Sequence, residues 1–106
     1  MEKVLERNHI RLSDGREIGL EYFLVSQEES KKRIQAYGIG IQKLLKDTLE
    51  QDALLKQGIW PEREVVEQVT ESREKAVDWI GRLAKHQVSP AVLVEILDDF
   101  ITQEGI

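Results

Sequence analysis

Three carboxylates near the end of the chain come closest to a spacing that could do chemistry. Glu95 and Asp99 are four residues apart, which places them on one face of a helix, with Asp98 beside them. Paired carboxylates can bind a divalent cation or exchange protons with a substrate. Like charges at this spacing are also common on exposed helix faces. Because no second cluster completes a site, we interpret the three as a solvated face, with an electrostatic docking surface as the alternative.

The other residue types that commonly carry chemistry are scarce. The chain has no cysteine, which excludes disulfides, thiolate nucleophiles and zinc-thiolate sites. His9 and His86 each lack a neighbouring ligand at metal-binding spacing. A site that combined His86 with the three carboxylates is the least favoured hypothesis. We therefore expect no enzyme activity, no catalytic residues, no metal and no cofactor.

Two short motifs superficially resemble nucleotide or nucleic-acid sites. Gly38-Ile39-Gly40 lacks the third glycine and the Lys-Ser/Thr pair of phosphate-binding loops. We interpret it as strand glycines that admit a neighbouring aromatic ring or backbone. Lys31-Lys32-Arg33 is a basic triplet without an aromatic residue beside it, which is a weak nucleic-acid signal. We interpret this triplet as a solubilising loop.

The N-terminal part of the chain predicts a β-hairpin. Asp14-Gly15 is a strong turn signal, because glycine accepts a positive φ without steric cost. Strands are predicted over residues 2–12 and 17–25. The first strand would place Val4, Ile10 and Leu12 on one face. In the second, Ile18, Leu20, Tyr22 and Leu24 would be buried, and Glu17, Gly19, Glu21 and Phe23 would lie on the mostly solvated face.

Two more strands and two helices are predicted for the rest of the chain. The strands span residues 36–45 and 62–69, the latter at an edge. Residues 43–57 are alternatively helical, with Gly58 as the C-terminal cap. Helices are predicted over residues 71–86, capped by Thr70 or Ser72, and over 89–102, followed by a fraying tail. Trp79 would close the core, and the helical stripes would include Val77 and Val92.

Strands followed by helices predict the fold class. We expect one α+β domain over residues 1–106, with an antiparallel sheet of about four strands and two C-terminal helices packed on one face. The helical pair also resembles a helix-turn-helix superficially. Its second helix would present Glu95, Asp98 and Asp99, which DNA phosphates repel.

Several segments together resemble a known family. They are Asp14-Gly15-Arg16-Glu17, Tyr37-Gly38-Ile39, and the stretches 69–76, 83–90 and 94–100. In this order the chain resembles a family of small bacterial proteins known only as a domain of unknown function. The resemblance implies a hairpin, further strands and two terminal helices, and it implies no catalytic residues. Residues 46–61 form a longer connection than the one typical of that family.

Charge and hydropathy limit the kinds of partner. The formal net charge is −5, and residues 1–33 sum to zero, so the rest of the chain carries the whole excess. An acidic balance opposes a dominant phosphate-binding surface. The first residues contain no apolar run long enough for a signal peptide, and no stretch is long enough to span a membrane. We therefore expect a cytoplasmic protein with no membrane association.

The favoured hypothesis is a non-enzymatic protein-interaction or regulatory module that binds a protein partner or itself. Trp is enriched at interface hot spots, and apolar residues around Trp60 are spare if this segment is an amphipathic helix. The expected interaction surface comprises Leu49, Leu54, Leu55, Ile59 and Trp60. The alternative is a nucleic-acid-associated regulator that uses the two helices and the 31–33 loop.

Overall fold

The computed structural model describes residues 1–26, 36–45, 52–53, 56–58 and 62–104. Within them the elements are β1 (Glu2–Arg11), β2 (Glu17–Ser26), β3 (Tyr37–Leu45), β4 (Arg63–Thr70), α1 (Arg73–Lys85), a 3₁₀ turn (Pro90–Val92) and α2 (Leu93–Glu104). The four strands pair antiparallel in the order β1-β2-β3-β4, so each strand lies beside the one that follows it in sequence. The predicted α+β arrangement of a four-stranded antiparallel sheet followed by two helices is confirmed.

The turn between β1 and β2 forms where Asp-Gly predicts it. Gly15 has a φ of +90°, a conformation that favours glycine. The Asp14 carboxylate accepts hydrogen bonds from the Arg16 backbone N–H at 3.0 Å and from the Arg16 guanidinium at 2.7 Å. The hydrogen bond from that backbone N–H is the main reason that the pKa of Asp14 lies below its ordinary value.

A β-bulge changes the register of β1. Val4 pairs with Phe23 and Glu6 pairs with Tyr22, so Leu5 is an extra residue on the β1 side. The bulge reverses the alternation, and Leu5 and Ile10 pack against the core. The prediction that Val4 and Ile10 share a face is therefore wrong, because strict alternation assumes an unbroken ladder.

The core lies between the sheet and the two helices. α1 contacts all four strands. Apolar side chains of the central strands meet those of α1, α2 and the turn between them, and the buried cluster comprises Leu20, Tyr22, Leu24, Ile39, Ile41, Ala76, Trp79, Ile80, Leu83, Ala84, Val88, Leu93 and Leu97. The predicted core position of Trp79 is confirmed.

Two side chains of the sheet donate hydrogen bonds to backbone carbonyls at the end of α1. The Tyr22 hydroxyl donates a hydrogen bond to the Val88 carbonyl at 2.9 Å, and the Asn8 amide donates to the Ala84 carbonyl. Burial raises the pKa of the Tyr22 hydroxyl, which stays protonated and can donate. These bonds fix the helix end against β1 and β2.

The end of α1 is a Schellman motif, with Gln87 in the left-handed conformation. The Val88 N–H donates to the Leu83 carbonyl at 3.0 Å and the Gln87 N–H donates to the Ala84 carbonyl at 3.1 Å. Gln87 has a φ of +52°, in a position where glycine is usual. At the other end, Ser72 caps the helix by accepting from the Lys75 N–H, as one of the two predicted caps.

We expect Gln87→Gly to stabilise the protein. The left-handed conformation costs an L residue roughly 1–2 kcal/mol, and glycine's greater loss of backbone entropy offsets about 0.5–1 kcal/mol of the gain. The free energy of unfolding, measured by urea denaturation, should rise by about 0.5–1 kcal/mol. Lys85→Gly, two residues earlier inside the helix, is the control and should lower it by about 1 kcal/mol. Equal losses in both variants would contradict the prediction.

The second helical segment differs from its prediction at both ends. Pro90 begins a 3₁₀ turn rather than the α-helix, with Ser89 preceding it in an extended conformation. α2 then continues to Glu104, two residues beyond the predicted end of the helix. Val77 and Val92, predicted in the apolar stripes, are exposed. None of the described helices is long and apolar enough to cross a membrane.

Residues 43–57, which the sequence predicts as alternatively helical, are described in part. Residues 43–45 belong to β3 and not to a helix. Asp52, Ala53 and Lys56 are helical, and Gly58 has a φ of +80°, as expected of a helix-ending glycine. Asp52, Ala53, Lys56 and Gly58 are exposed.

Candidate functional site

Within the described residues, the sheet has one face that lies away from α1 and α2, here called the helix-free face. Leu20, Tyr22 and Leu24 point into the core, so the residues that alternate with them on β2 point the other way. The strand register then arranges the helix-free face in rows that run across the sheet.

The central row of this face is apolar. Val4, Phe23, Gly40 and Val65 are successive cross-strand partners on β1, β2, β3 and β4, and they form the apolar row. Phe23 is only 2% exposed, so its predicted position on a solvated face is wrong. Val25 lies beside the row and is half-buried. The row gives this side of the sheet an apolar centre.

The two glycines of β3 make room for their neighbours. A Cβ atom on Gly40 would lie 2.2 Å from the Phe23 ring, so the ring occupies the space that a side chain would fill. A Cβ on Gly38 would lie 2.7 Å from the Val66 carbonyl oxygen, where β4 bulges toward β3 and Gln68 has a φ of +56°. The interpretation of Gly38 and Gly40 as glycines that admit an aromatic ring and a backbone is confirmed.

Arg63 crosses the apolar row from the β4 edge. Its guanidinium carbon lies 4.6 Å from the centroid of the Phe23 ring, within cation–π distance. The same guanidinium donates to the Gln42 amide oxygen at 2.9 Å and forms an ion pair with Glu2 on β1. Arg63 thus covers Phe23 and joins the two edges of the sheet.

Three arginines on the helix-free face pair with glutamates of other strands. Arg7 contacts Glu21 at 2.8 Å, Arg11 contacts Glu17 at 3.6 Å, and Arg63 pairs with Glu2. Three arginines and three glutamates therefore sum to zero on a chain whose formal net charge is −5. Exposed pairs of this kind contribute little stability.

A depression lies on this face next to the paired charges. It has a volume of about 510 Å³ and forms above Gly19, between Arg7 and Glu21 on one side and Leu44 on the other. A Cβ atom on Gly19 would have no neighbour closer than 3.9 Å. The depression therefore continues the helix-free face, with polar residues lining one side and apolar residues lining the other.

A second groove lies on the helix side of the sheet, beside β4. It has a volume of about 600 Å³, with Val69, Trp79 and Ile101 among its apolar residues and Lys75 and Glu104 among its charged ones. The Trp79 indole N–H donates to the Glu104 carboxylate at 2.5 Å, and Arg82 forms an ion pair with the same carboxylate. The indole hydrogen bond is the main reason that the pKa of Glu104 lies below its ordinary value.

Acidification should release this contact between α1 and α2. Because the pKa of Glu104 is lowered in the folded protein, its stabilising effect is complete above the ordinary value of 4.5 and disappears as the pH falls through the lowered pKa. We expect wild type to unfold at higher urea than Glu104→Gln at pH 7, and the difference to vanish in strong acid. Asp99→Gln, on the same helix, is the control. A difference that persists in strong acid would contradict the prediction.

The residues predicted as an interaction surface cannot be placed on the helix-free face or in the groove beside β4. Trp60, Leu49, Leu54, Leu55 and Ile59 all lie outside the described residues, as do Lys31, Lys32 and Arg33. Glu95, Asp98 and Asp99 are exposed on α2, and His86 is exposed at the end of α1. Among the described residues, no group of three or more His, Asp or Glu side chains is arranged to hold a metal ion.

Sequence reasoning missed Val4, Val65 and Arg63 as neighbours of Phe23. Val65 and Val66 are adjacent valines, so alternation alone does not tell which of them faces the core; Val66 packs against it and Val65 does not. The prominent alternation in β2 was a usable signal, since Phe23 is a large apolar residue on the face assigned to solvent. The Arg63 guanidinium, 4.6 Å from the centroid of the ring, supplies part of its cover.

The fold and this face together define a class: a four-stranded antiparallel sheet with two helices on one side and an apolar row across the other. The chain belongs to a family of unknown function, DUF6514, whose model matches residues 1–103. The resemblance to an uncharacterised family is thereby confirmed. Neither a curated protein nor a solved structure matches the chain.

Proposed function

We propose that this protein is a non-enzymatic protein-interaction or regulatory module of the cytoplasm, and that the helix-free face of its sheet is the contact surface. The observation that carries the proposal is the apolar row, which crosses all four strands on the side away from α1 and α2 and has the half-buried Val4 and Val65 at its two ends. Apolar residues bordered by polar ones are the usual composition of a protein-binding surface.

The composition of the face favours a protein partner over a nucleic acid. Phosphate binding requires arginines and lysines that are free to neutralise the backbone. Arg7, Arg11 and Arg63 are each engaged with a glutamate of the same sheet. A protein surface, in contrast, does not require free cations and can contact these pairs without separating them.

Affinity capture from a lysate of the source cells tests the proposal, with wild type, Val65→Asp and Val94→Asp compared side by side. Val65 lies in the apolar row, whereas Val94 is 47% exposed on α2 and serves as the matched control. We expect a protein that survives nuclease treatment, is retained by Val94→Asp and is lost with Val65→Asp. Circular dichroism must show all three chains folded.

Two results would count against the proposal. Captured material that disappears with nuclease would favour the alternative, a nucleic-acid-associated regulator. Equal capture by Val65→Asp and wild type would show that the helix-free face is not the contact surface. Trp60→Ala, added as a fourth chain, tests the segment predicted from sequence, because its loss of binding would extend the surface to residue 60.

A further inference from the structure

We infer that the end of α2 is a strap that opens and closes the groove beside β4, separately from the rest of the fold. The α2 strap is defined as residues 100–104. It lies on the helix side of the sheet, so the inference is independent of the contact surface proposed above. What the strap covers, how it is held, and how little its own sequence favours a helix carry the inference.

The α2 strap covers one wall of the groove. Trp79 lines the groove and is only 3% exposed. The centroid of the Phe100 ring lies 6.1 Å from that of the Trp79 indole, and the Glu104 carboxylate accepts the indole N–H at 2.5 Å. Ile101 and Glu104 line the groove as well. When the strap moves away, Trp79 loses both contacts, and the groove of about 600 Å³ widens to include the indole.

One carboxylate fastens the strap to α1. Within the described part of the chain, the side-chain hydrogen bonds and ion pairs of the strap are those of Glu104, to the Trp79 indole and to the Arg82 guanidinium. The Arg82 guanidinium carbon also lies 5.7 Å from the centroid of the Phe100 ring, and Asp78 binds the same guanidinium at 3.0 Å. Because ion pairs this exposed stabilise weakly, the fastening is one that thermal motion breaks and remakes.

The first half of α2 is anchored more firmly than the strap. Leu93 is 0% exposed and Leu97 is 1% exposed, and both belong to the core cluster. Phe100 and Ile101 are only half-buried. Since buried apolar surface is the main stabilising contribution, the strap can separate while the two leucines stay in place.

The sequence of the strap does little to keep it helical. The last turn of α2 contains no Lys or Arg and ends in Glu104, whose negative charge is unfavourable at the negative end of the helix dipole. Ile101 and Thr102 are β-branched, which lowers their helix propensity. The helical form of the strap therefore depends on its contacts with α1, and breaking them frees it.

Native-state hydrogen exchange of the full chain, followed by NMR over a range of low urea concentrations, tests the inference. The Trp79 indole N–H reports the contact with Glu104, the amides of residues 101–104 report the strap, and the amides of Ile80 and Leu83 report unfolding of the core. Relative to intrinsic rates, we expect the indole and the strap to exchange at least about tenfold faster than the core amides. Their rates should not rise with urea, because a local opening exposes little surface.

Three variants separate opening of the strap from unfolding of the core. Glu104→Ala should accelerate exchange of the Trp79 indole N–H at least about tenfold, because it removes a charged acceptor. Asp99→Ala removes the same charge from an exposed position of the same helix and should leave the indole unchanged. Ile39→Val, at a position in the sheet that is 0% exposed, should accelerate exchange of the Ile80 amide roughly 2- to 12-fold and leave the indole unchanged.

Three results would overturn the inference. Indole exchange that rises with urea as steeply as that of the Ile80 amide would mean that the strap opens only when the core unfolds. Fast strap amides beside an indole as protected as the Ile80 amide would mean that the helix end frays without uncovering the groove. Equal acceleration by Asp99→Ala and Glu104→Ala would attribute the effect to helix charge. The urea series uses wild type alone, so it decides the matter even if Glu104→Ala does not fold.

Discussion

Leu97→Ala is expected to lower the free energy of unfolding by about 2–5 kcal/mol, as truncation of a buried leucine does. Leu97 is 1% exposed and belongs to the cluster that joins α2 to α1 and the sheet. Removing its branched end leaves a cavity beneath α2. Urea denaturation monitored by circular dichroism should show a lower midpoint with an unchanged slope.

The same helix offers a matched control for this prediction. Val94 lies three residues before Leu97 and is 47% exposed. Val94→Ala should change the free energy of unfolding by no more than about 0.5 kcal/mol, as surface substitutions usually do. If Leu97→Ala and Val94→Ala unfolded at the same urea concentration, α2 would not be packed as the structure has it.

The parts of this fold that sequence predicts are those fixed by local chemistry. Asp14-Gly15 specifies the hairpin turn because its conformation requires a residue that tolerates positive φ. Ser72 specifies the start of α1 because its hydroxyl accepts from the Lys75 N–H. The alternation of Leu20, Tyr22 and Leu24 specifies the buried face of β2. Each signal acts within a few residues, so the sequence displays it directly.

The parts that sequence does not predict depend on contacts between distant residues. The bulge at Leu5 appears only in the pairing of β1 with β2, and it moves Val4 to the other face. Phe23 is buried because Gly40 leaves room for its ring and Arg63 covers it, and these residues are 17 and 40 positions away in the chain. Alternation assigns a face to each residue but does not reveal what lies on that face.

The candidate site shows the same division between local and distant signals. The residue types that exclude thiol chemistry are visible in composition alone. The apolar row is visible only in the sheet, because Val4, Phe23, Gly40 and Val65 come from four separate strands. No local pattern connects them, and a single sequence offers no record of which positions change together.

Gly40→Ala is expected to destabilise the protein by about 1–3 kcal/mol, the usual effect of overpacking a filled site. Its Cβ atom would lie 2.2 to 2.9 Å from three atoms of the Phe23 ring. The ring cannot move outward freely, because the Arg63 guanidinium lies over it and is bound to Glu2 and Gln42. Gly19→Ala, in the neighbouring strand, is the control, because its Cβ would meet only atoms 3.9 Å away. Urea denaturation should give a clearly lower free energy of unfolding for Gly40→Ala than for Gly19→Ala.

A double substitution identifies the cause of that loss. Phe23→Leu removes the ring atoms that a Cβ on Gly40 would strike, so Gly40→Ala should cost less in the Phe23→Leu protein than in wild type. Residues in direct contact commonly show coupling of about 0.5–3 kcal/mol in such a cycle. A cycle without coupling would place the effect in the β3 backbone. Coupling would instead show that one ring fixes both the packing of β3 and the apolar row, so that Phe23 joins the stability of the sheet to the surface proposed for binding.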